Sequence, residues 1–285
     1  MGRDSAVLDP SREFAYTLAD FERVRSMIHR HAGIALADSK RDLVYSRLAR
    51  RLRALDIETF RRYLDQLEQA PESDEWEHFT NALTTNLTSF FREAHHFDIL
   101  RDQLRSLPPG KRILIWCCAA STGEEPYSIA MTACEAFGRL DPPVSILATD
   151  IATDVLDTAQ RGVYAMERVE SLSKERLKKF FLRGGGSNEG QVKVVDALKR
   201  LVTFRQLNLL EPHWGLKGPF SALFCRNIMI YFDKPTQAEI LQRFVPLIAD
   251  GGHLYMGHSE TLSNPPGNIQ SIGRTTYRKR SVVRS

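Results

Sequence analysis

Through the first hundred positions apolar residues recur three or four apart, with almost none of the alternation a strand requires. Asp20 to His31, Asp42 to Leu55, Ile57 to Glu68 and Glu75 to Thr85 all carry this helical period; Val44, Leu48, Leu52 and Leu55 form one stripe. The pattern changes after Pro108-Pro109-Gly110, a cluster that breaks regular structure. Short apolar runs then alternate with amphipathic helices. Strands are expected at Arg112 to Cys118, Val144 to Thr149, Val202 to Gln206, Phe220 to Cys225 and His253 to Gly257, with late ones near Ile269 and Thr275 to Arg278. Helices are expected at Glu125 to Phe137, Thr153 to Arg161 and Pro235 to Leu247. Strand, helix, strand in this order implies a parallel sheet with right-handed crossovers. One insertion, about residues 164–201, interrupts it: a charged helix at Ser173 to Phe181, then Gly184-Gly185-Gly186, then the alternating Gln191 to Val195. It reads as a small antiparallel β element. The chain thus divides into a small all-α unit over 1–85, a connecting segment over 86–110 and an α/β domain over 111–285.

Composition narrows the class without naming a function. With 285 residues, 42% hydrophobic and 26% charged, the chain is neither disordered nor fibrous. Its longest apolar run, Ile113 to Ala120, is far short of the roughly 20 residues that span a bilayer. The N-terminus contains acids and lacks a signal-peptide core, so a cytoplasmic location without membrane insertion is expected. Cys117, Cys118, Cys134 and Cys225 have neither disulfide-scaffold density nor zinc-site spacing, and read as buried thiols. His95, His96 and His258 lack spaced ligand partners, so no metal is expected. The net charge of +4 argues against a dedicated nucleic-acid binder. That average conceals a polarity: residues 40–62 hold eight basic and three acidic residues, and residues 63–77 hold six acids and no base.

Candidate chemistry lies in the run Ile113 to Ser128, where a buried strand enters small residues, turns at Gly123 and starts a helix carrying Glu124, Glu125 and Pro126. Small residues at such a turn let a ligand approach the backbone. Two carboxylates at the helix start disfavour a phosphate and favour a ligand bearing an amino group or sulfonium. Asp150 ends the second strand, at the carboxyl edge where doubly wound sheets bind ligands, and its two oxygens suit a ribose diol. Asn208-Leu209 follows the third strand, Cys225 to Phe232 closes the fourth, and Asn86, Thr88 and Arg92 form a polar cluster around Phe90-Phe91.

These residues resemble the chemotaxis receptor glutamate O-methyltransferase (CheR) family. The resemblance runs from the helical Asp38-to-Leu55 segment through Asn86-Leu-Thr-Ser-Phe-Phe-Arg-Glu-Ala-His-His-Phe, Ala-Ser-Thr-Gly-Glu-Glu-Pro-Tyr-Ser, Cys-Arg-Asn-Ile-Met-Ile-Tyr-Phe-Asp and Gly257-His-Ser-Glu260. It implies a Rossmann-like class I S-adenosylmethionine-dependent methyltransferase domain behind an all-α N-terminal domain. It also implies cofactor contact by Asn86, Thr88, Arg92, Glu125, Asp150, Asn208, Leu209, Arg226 and Asn227, and roles near the transferred methyl for Arg92 and Tyr231. The product would be a glutamate 5-O-methyl ester on a receptor, with S-adenosylhomocysteine released. In that family the inserted β element can dock a receptor's C-terminal peptide. Ala119 and Ser121 stand where the broader methyltransferase pattern has glycine.

The resemblance agrees with the chemistry. A sulfonium methyl is already activated and a glutamate carboxylate, with a pKa near 4.3, is already ionised, so alignment rather than a strong base is required. Arg47, Arg50 and Arg51 share one side of a helix, a basic face suited to the glutamate-rich helices of receptor methylation segments. The alternatives are a methyltransferase acting on RNA or a small molecule, and a non-enzymatic adaptor on the same fold. The presence of Asp150, Arg92 and Tyr231 opposes the adaptor.

Overall fold

The computed structural model describes residues 12–262 and 264–281. The N-terminal reading over residues 1–11 falls outside them. The chain forms two compact units, one of residues 1–85 with 231–233, the other of residues 86–230 with 234–285.

The first unit holds four helices, α1 (Leu18–Ala32), α2 (Arg41–Ala54), α3 (Phe60–Gln69) and α4 (Glu75–Leu83). Local chemistry sets their ends. Thr17 and Asp20 form a reciprocal capping box at the start of α1, and Thr59 accepts the Arg62 N–H at the start of α3. Val24, Ile28, Val44, Leu48, Leu52, Phe60, Tyr63, Leu64 and Phe79 are fully buried. Leu55 departs from its predicted stripe and is 41% exposed. The helix ends at Ala54, and Asp56 turns into the left-handed region at φ 53°, so Leu55 no longer shares the buried face.

The charge polarity of the sequence is partly closed within this unit. Arg23 pairs with Asp65 and Glu68, and the Arg51 guanidinium binds both oxygens of Glu75, which also accepts the Tyr63 hydroxyl at 2.8 Å. Arg47 donates to the carbonyls of Ala82 (3.2 Å) and Thr84 (2.6 Å), capping the C-terminus of α4, where carbonyls lack partners and a cation is favoured. Arg50 is exposed.

The second unit opens with α5 (His95–Ser106), inside the stretch expected as a connector, and it buries Phe97, Leu100 and Leu104 in the core. Then follow β1 (Ile113–Cys117), α6 (Glu124–Phe137), β2 (Val144–Asp150), α7 (Thr153–Arg161) and the insertion: β3 (Val163–Ala165), α8 (Lys174–Phe180), β4 (Phe181–Arg183), β5 (Gln191–Val194) and α9 (Asp196–Lys199). The remainder is β6 (Val202–Gln206), β7 (Phe220–Cys225), α10 (Lys234–Phe244), β8 (Ile248–Met256), β9 (Ile269–Gly273) and β10 (Thr276–Lys279). The main sheet has the order β6-β2-β1-β7-β8-β10-β9. Pairings from β6 to β8 are parallel, but β10 runs antiparallel to both its neighbours, so the sheet is mixed at one edge. A short hairpin joins β9 to β10, and adjacent strands joined in that way must run antiparallel.

The insertion is a three-stranded antiparallel sheet, β3-β5-β4. It is fastened to the domain by Phe90, which meets Tyr164 and Phe181 edge-on at 5.1 and 5.6 Å. Trp116 is fully buried at the centre of the main sheet and donates its indole N–H to Thr149 Oγ1 at 3.0 Å. The four cysteines are buried and free. Among the described residues no helix is long and apolar enough to cross a membrane.

Candidate active site

Because β2, β1 and β7 are parallel neighbours, their carboxyl ends bring the turn after β1, Asp150 and Arg226 to one edge of the sheet. The turn is held by backbone. Ala120 N–H donates to the Thr149 carbonyl at 2.9 Å, and Gly123 N–H to that of Ala120 at 3.0 Å. Ser121 takes the left-handed φ of 47° where glycine is commoner, and its N–H is fixed by Asp150 Oδ2 at 2.8 Å. Gly123 has no substitute: φ is 100°, and a Cβ would lie 2.7 Å from the Tyr164 hydroxyl and 2.9 Å from Ala159.

Asp150 is 8% exposed. Its Oδ1 accepts the Ala152 N–H at 3.0 Å and the Ile151 N–H also bonds the carboxylate, so backbone donors fix the orientation of both oxygens. Two acceptors side by side fit a ribose diol. Burial raises the carboxyl pKa, against the backbone N–H groups that favour the ionised form.

The two carboxylates that open α6 each meet an arginine. Glu124 is engaged by Arg168 of the inserted element, which also donates to the Thr88 carbonyl at 3.1 Å. Glu125 is engaged by Arg226 and accepts the Cys117 thiol at 3.4 Å; burial outweighs the arginine and raises its pKa. Arg226, its side chain 1% exposed, also donates to the Arg92 carbonyl and lies 3.4 Å from Glu93 Oε2. Burial opposes ionisation of Glu93, but Arg226 and the His258 N–H prevail and hold its pKa below the usual carboxylate value. Glu93, Glu125 and Arg226 together carry a net charge of −1, which suits a cationic guest. Among the described residues, Arg226 Nε and Glu93 Oε2 are buried without hydrogen-bond partners, polar capacity that a bound ligand can use.

The loop before α5 lies against the same helix start. Ser121 Oγ donates to the Asn86 carbonyl at 3.0 Å, Phe91 N–H to Ser128 Oγ at 3.0 Å, and Arg92 folds back onto the Leu87 carbonyl at 3.1 Å. Past β6, Leu207 N–H bonds the Asp150 carbonyl at 2.9 Å. Asn208 then accepts the Leu210 N–H at 2.9 Å, and the buried Leu209 offers its carbonyl to Trp214 at 3.2 Å. Asn227 follows Arg226 at φ 57°, its side-chain amide 3.5 Å from Glu93. The structure therefore gathers Asn86, Thr88, Arg92, Glu125, Asp150, Arg226 and Asn227 in one bonded constellation, with Asn208 and Leu209 joined to it through Leu207. Tyr231 groups with the helical unit, where its carbonyl accepts the Ala35 N–H at 2.8 Å.

Sequence reasoning left two of these participants without roles. Arg168 sits in an insertion and carried no motif. Glu93 stands inside a motif, but its partner Arg226 is remote in sequence. Glu93, His95 and His96 bring possible ligand atoms within 4.8 Å of one another. His96 Nε2 faces the Arg274 carbonyl at 2.9 Å, and burial lowers the imidazole pKa to about 4. A cation there would stand beside Arg226 at the same Glu93 oxygen, so no metal is assigned.

A mixed doubly wound sheet with a small-residue first turn and a paired-acceptor aspartate at the second strand end defines a nucleoside-cofactor-binding α/β protein. Comparison with known families is more specific. Residues 86–278 match the CheR methyltransferase SAM binding domain and residues 19–84 the CheR methyltransferase all-alpha domain. The chain belongs to the CheR methyltransferase family, and its cofactor is S-adenosylmethionine. Chemotaxis protein methyltransferase 2 of Pseudomonas aeruginosa is 52% identical over 268 residues, covering 94% of this chain and 95% of that protein. The chemotaxis protein methyltransferases of Salmonella typhimurium and Escherichia coli are 49% and 47% identical, each over 97% of this chain and at least 95% of their own.

Proposed function

We propose that this enzyme transfers the methyl group of S-adenosylmethionine to glutamate side chains on the cytoplasmic methylation helices of chemotaxis receptors, forming 5-O-methyl esters. The observation that carries the reading is the buried Glu93–Arg226–Glu125 array beside Asp150 in a chain of this family. Bound there, the cofactor supplies a methyl already activated on sulfonium. The protein's own task is alignment. Asp150 offers two acceptors to the ribose, the array offers a net negative charge to the cationic end, and Arg92, half-buried in the loop before α5, is assigned to orient a carboxylate. A role for Tyr231 near the transferred methyl rests on the family resemblance. No group need remove a proton, because the acceptor carboxylate is ionised at neutral pH.

On the helical unit the structure separates the three arginines assigned to the receptor. Arg47 caps α4 and Arg51 is bound to Glu75, which leaves exposed Arg50, among the described residues, as the one of the three free to meet an acidic helix. Arg50→Glu is therefore expected to raise the KM for receptor several-fold at low salt and less at high salt, with unchanged cofactor affinity. A salt-independent KM would remove this face from the substrate path. The inserted β sheet is assigned to a receptor's C-terminal peptide, as an additional tether. Peptide mapping of methylated receptor fragments tests the acceptor: the label should lie on glutamates and leave as methanol in mild base, whereas base-stable label would refute an ester.

A further inference from the structure

Gly257-His-Ser-Glu260 leaves the end of β8, and beyond the His258 N–H on Glu93 its part in the site is still open. Glu260 is 7% exposed, and its carboxylate is turned wholly on backbone. Oε2 accepts the N–H groups of Asn227 at 2.7 Å and Gly257 at 2.8 Å, and Oε1 accepts that of Ile230 at 3.3 Å. Among the described residues no cation pairs with it, so its charge is balanced by N–H dipoles. Burial raises its pKa, and these donors act against that rise.

A buried carboxylate bonded in this way is a junction between two loops, the one leaving β7 and the one leaving β8. The β7 loop needs one. Asn227 is held at φ 57°, in the left-handed region, and it adjoins Arg226, a cation of the site. Gly257 permits the junction: a Cβ there would lie 2.5 Å from Asn227 Nδ2 and 2.6 Å from Glu260 Oε2.

We propose that Glu260 is a positioning residue for the cofactor site, fixing Asn227 and Arg226 through their backbone and so setting the affinity for S-adenosylmethionine without contacting it. This rests on the reading of Arg226 and Asn227 as cofactor contacts. Two variants act on the junction independently. Glu260→Gln puts an amide donor against a backbone donor, and Gly257→Ala pushes Asn227 away from Glu260 with no change of charge. Both are expected to raise the Kd for S-adenosylhomocysteine and the KM for S-adenosylmethionine about tenfold, with kcat at saturating cofactor within about twofold of wild type. Leu104→Ala, a core variant of α5, should lower Tm and leave the KM unchanged, which separates positioning from simple loss of stability. Wild-type affinity in a folded Gly257→Ala or Glu260→Gln protein overturns the proposal, as does a KM rise of equal size in Leu104→Ala; if Glu260→Gln does not fold, Gly257→Ala decides alone. Asp150→Ala is titrated in parallel. If it loses binding while the junction variants keep it, only this proposal falls; if it also binds normally, the cofactor-site reading itself is wrong.

Discussion

Asp150→Ala is expected to weaken binding of S-adenosylmethionine by at least about a hundredfold. Two charge-assisted hydrogen bonds to a ribose are each worth about 1.5–3 kcal/mol, and 1.4 kcal/mol is tenfold in affinity. The variant also releases the Ser121 and Ala152 N–H groups, which set the turn against which the cofactor lies. Asp150→Asn keeps one acceptor and should fall between the two. Because burial raises the Asp150 pKa, wild-type affinity should decline with acid at a higher pH than an exposed aspartate would give. Isothermal titration with S-adenosylhomocysteine measures all three, and near-wild-type binding by Asp150→Ala would contradict the ribose assignment.

The second large effect is on stability. Arg226→Met removes the cation from between Glu93 and Glu125, whose side chains are only 13% and 11% exposed. Breaking a buried pair by removing one partner costs about 3–5 kcal/mol, which for a domain of this size lowers Tm by about 10 °C. The sign of the pH dependence identifies the cause. Without Arg226 both carboxyl pKa values rise in the folded protein and stay ordinary in the unfolded chain, so the folded form binds more protons. The deficit relative to wild type should therefore shrink as pH falls from 8 towards 5, the range in which the raised carboxyls take up protons. A deficit that is constant with pH in denaturant titrations would show that the loss arises from packing against Phe97 and not from stranded charge.

The elements were largely legible because their periods are clean, and their ends follow from caps and from Gly123 and Gly138 at the two ends of α6. Helix α5 carries Phe97, Leu100 and Leu104 at helical spacing, but it stands between polar motifs that give the stretch the look of a connector. The reversed β10 was not legible, since a buried strand reads alike in either direction. At the site, residue identities were readable because chemistry selects the type: an aspartate at a strand end, small residues at a turn. Pairings were not. Nothing in the sequence joins Glu125 to Arg226, 101 positions away, or Glu124 to Arg168, 44 away; the order of strands and the docking of the insertion make those contacts. The same blindness affected Arg47 and Arg51, whose helical face was predicted but whose partners lie on α4.

Methyl transfer to a receptor protein is tested by incubating the purified protein with methyl-labelled S-adenosylmethionine, a receptor cytoplasmic fragment and, in parallel, RNA. Base-labile label is expected on the receptor fragment, lost in Asp150→Ala, with none in the RNA. Label entering only RNA, or no transfer to any receptor fragment by a protein that binds the cofactor, would contradict receptor methylation.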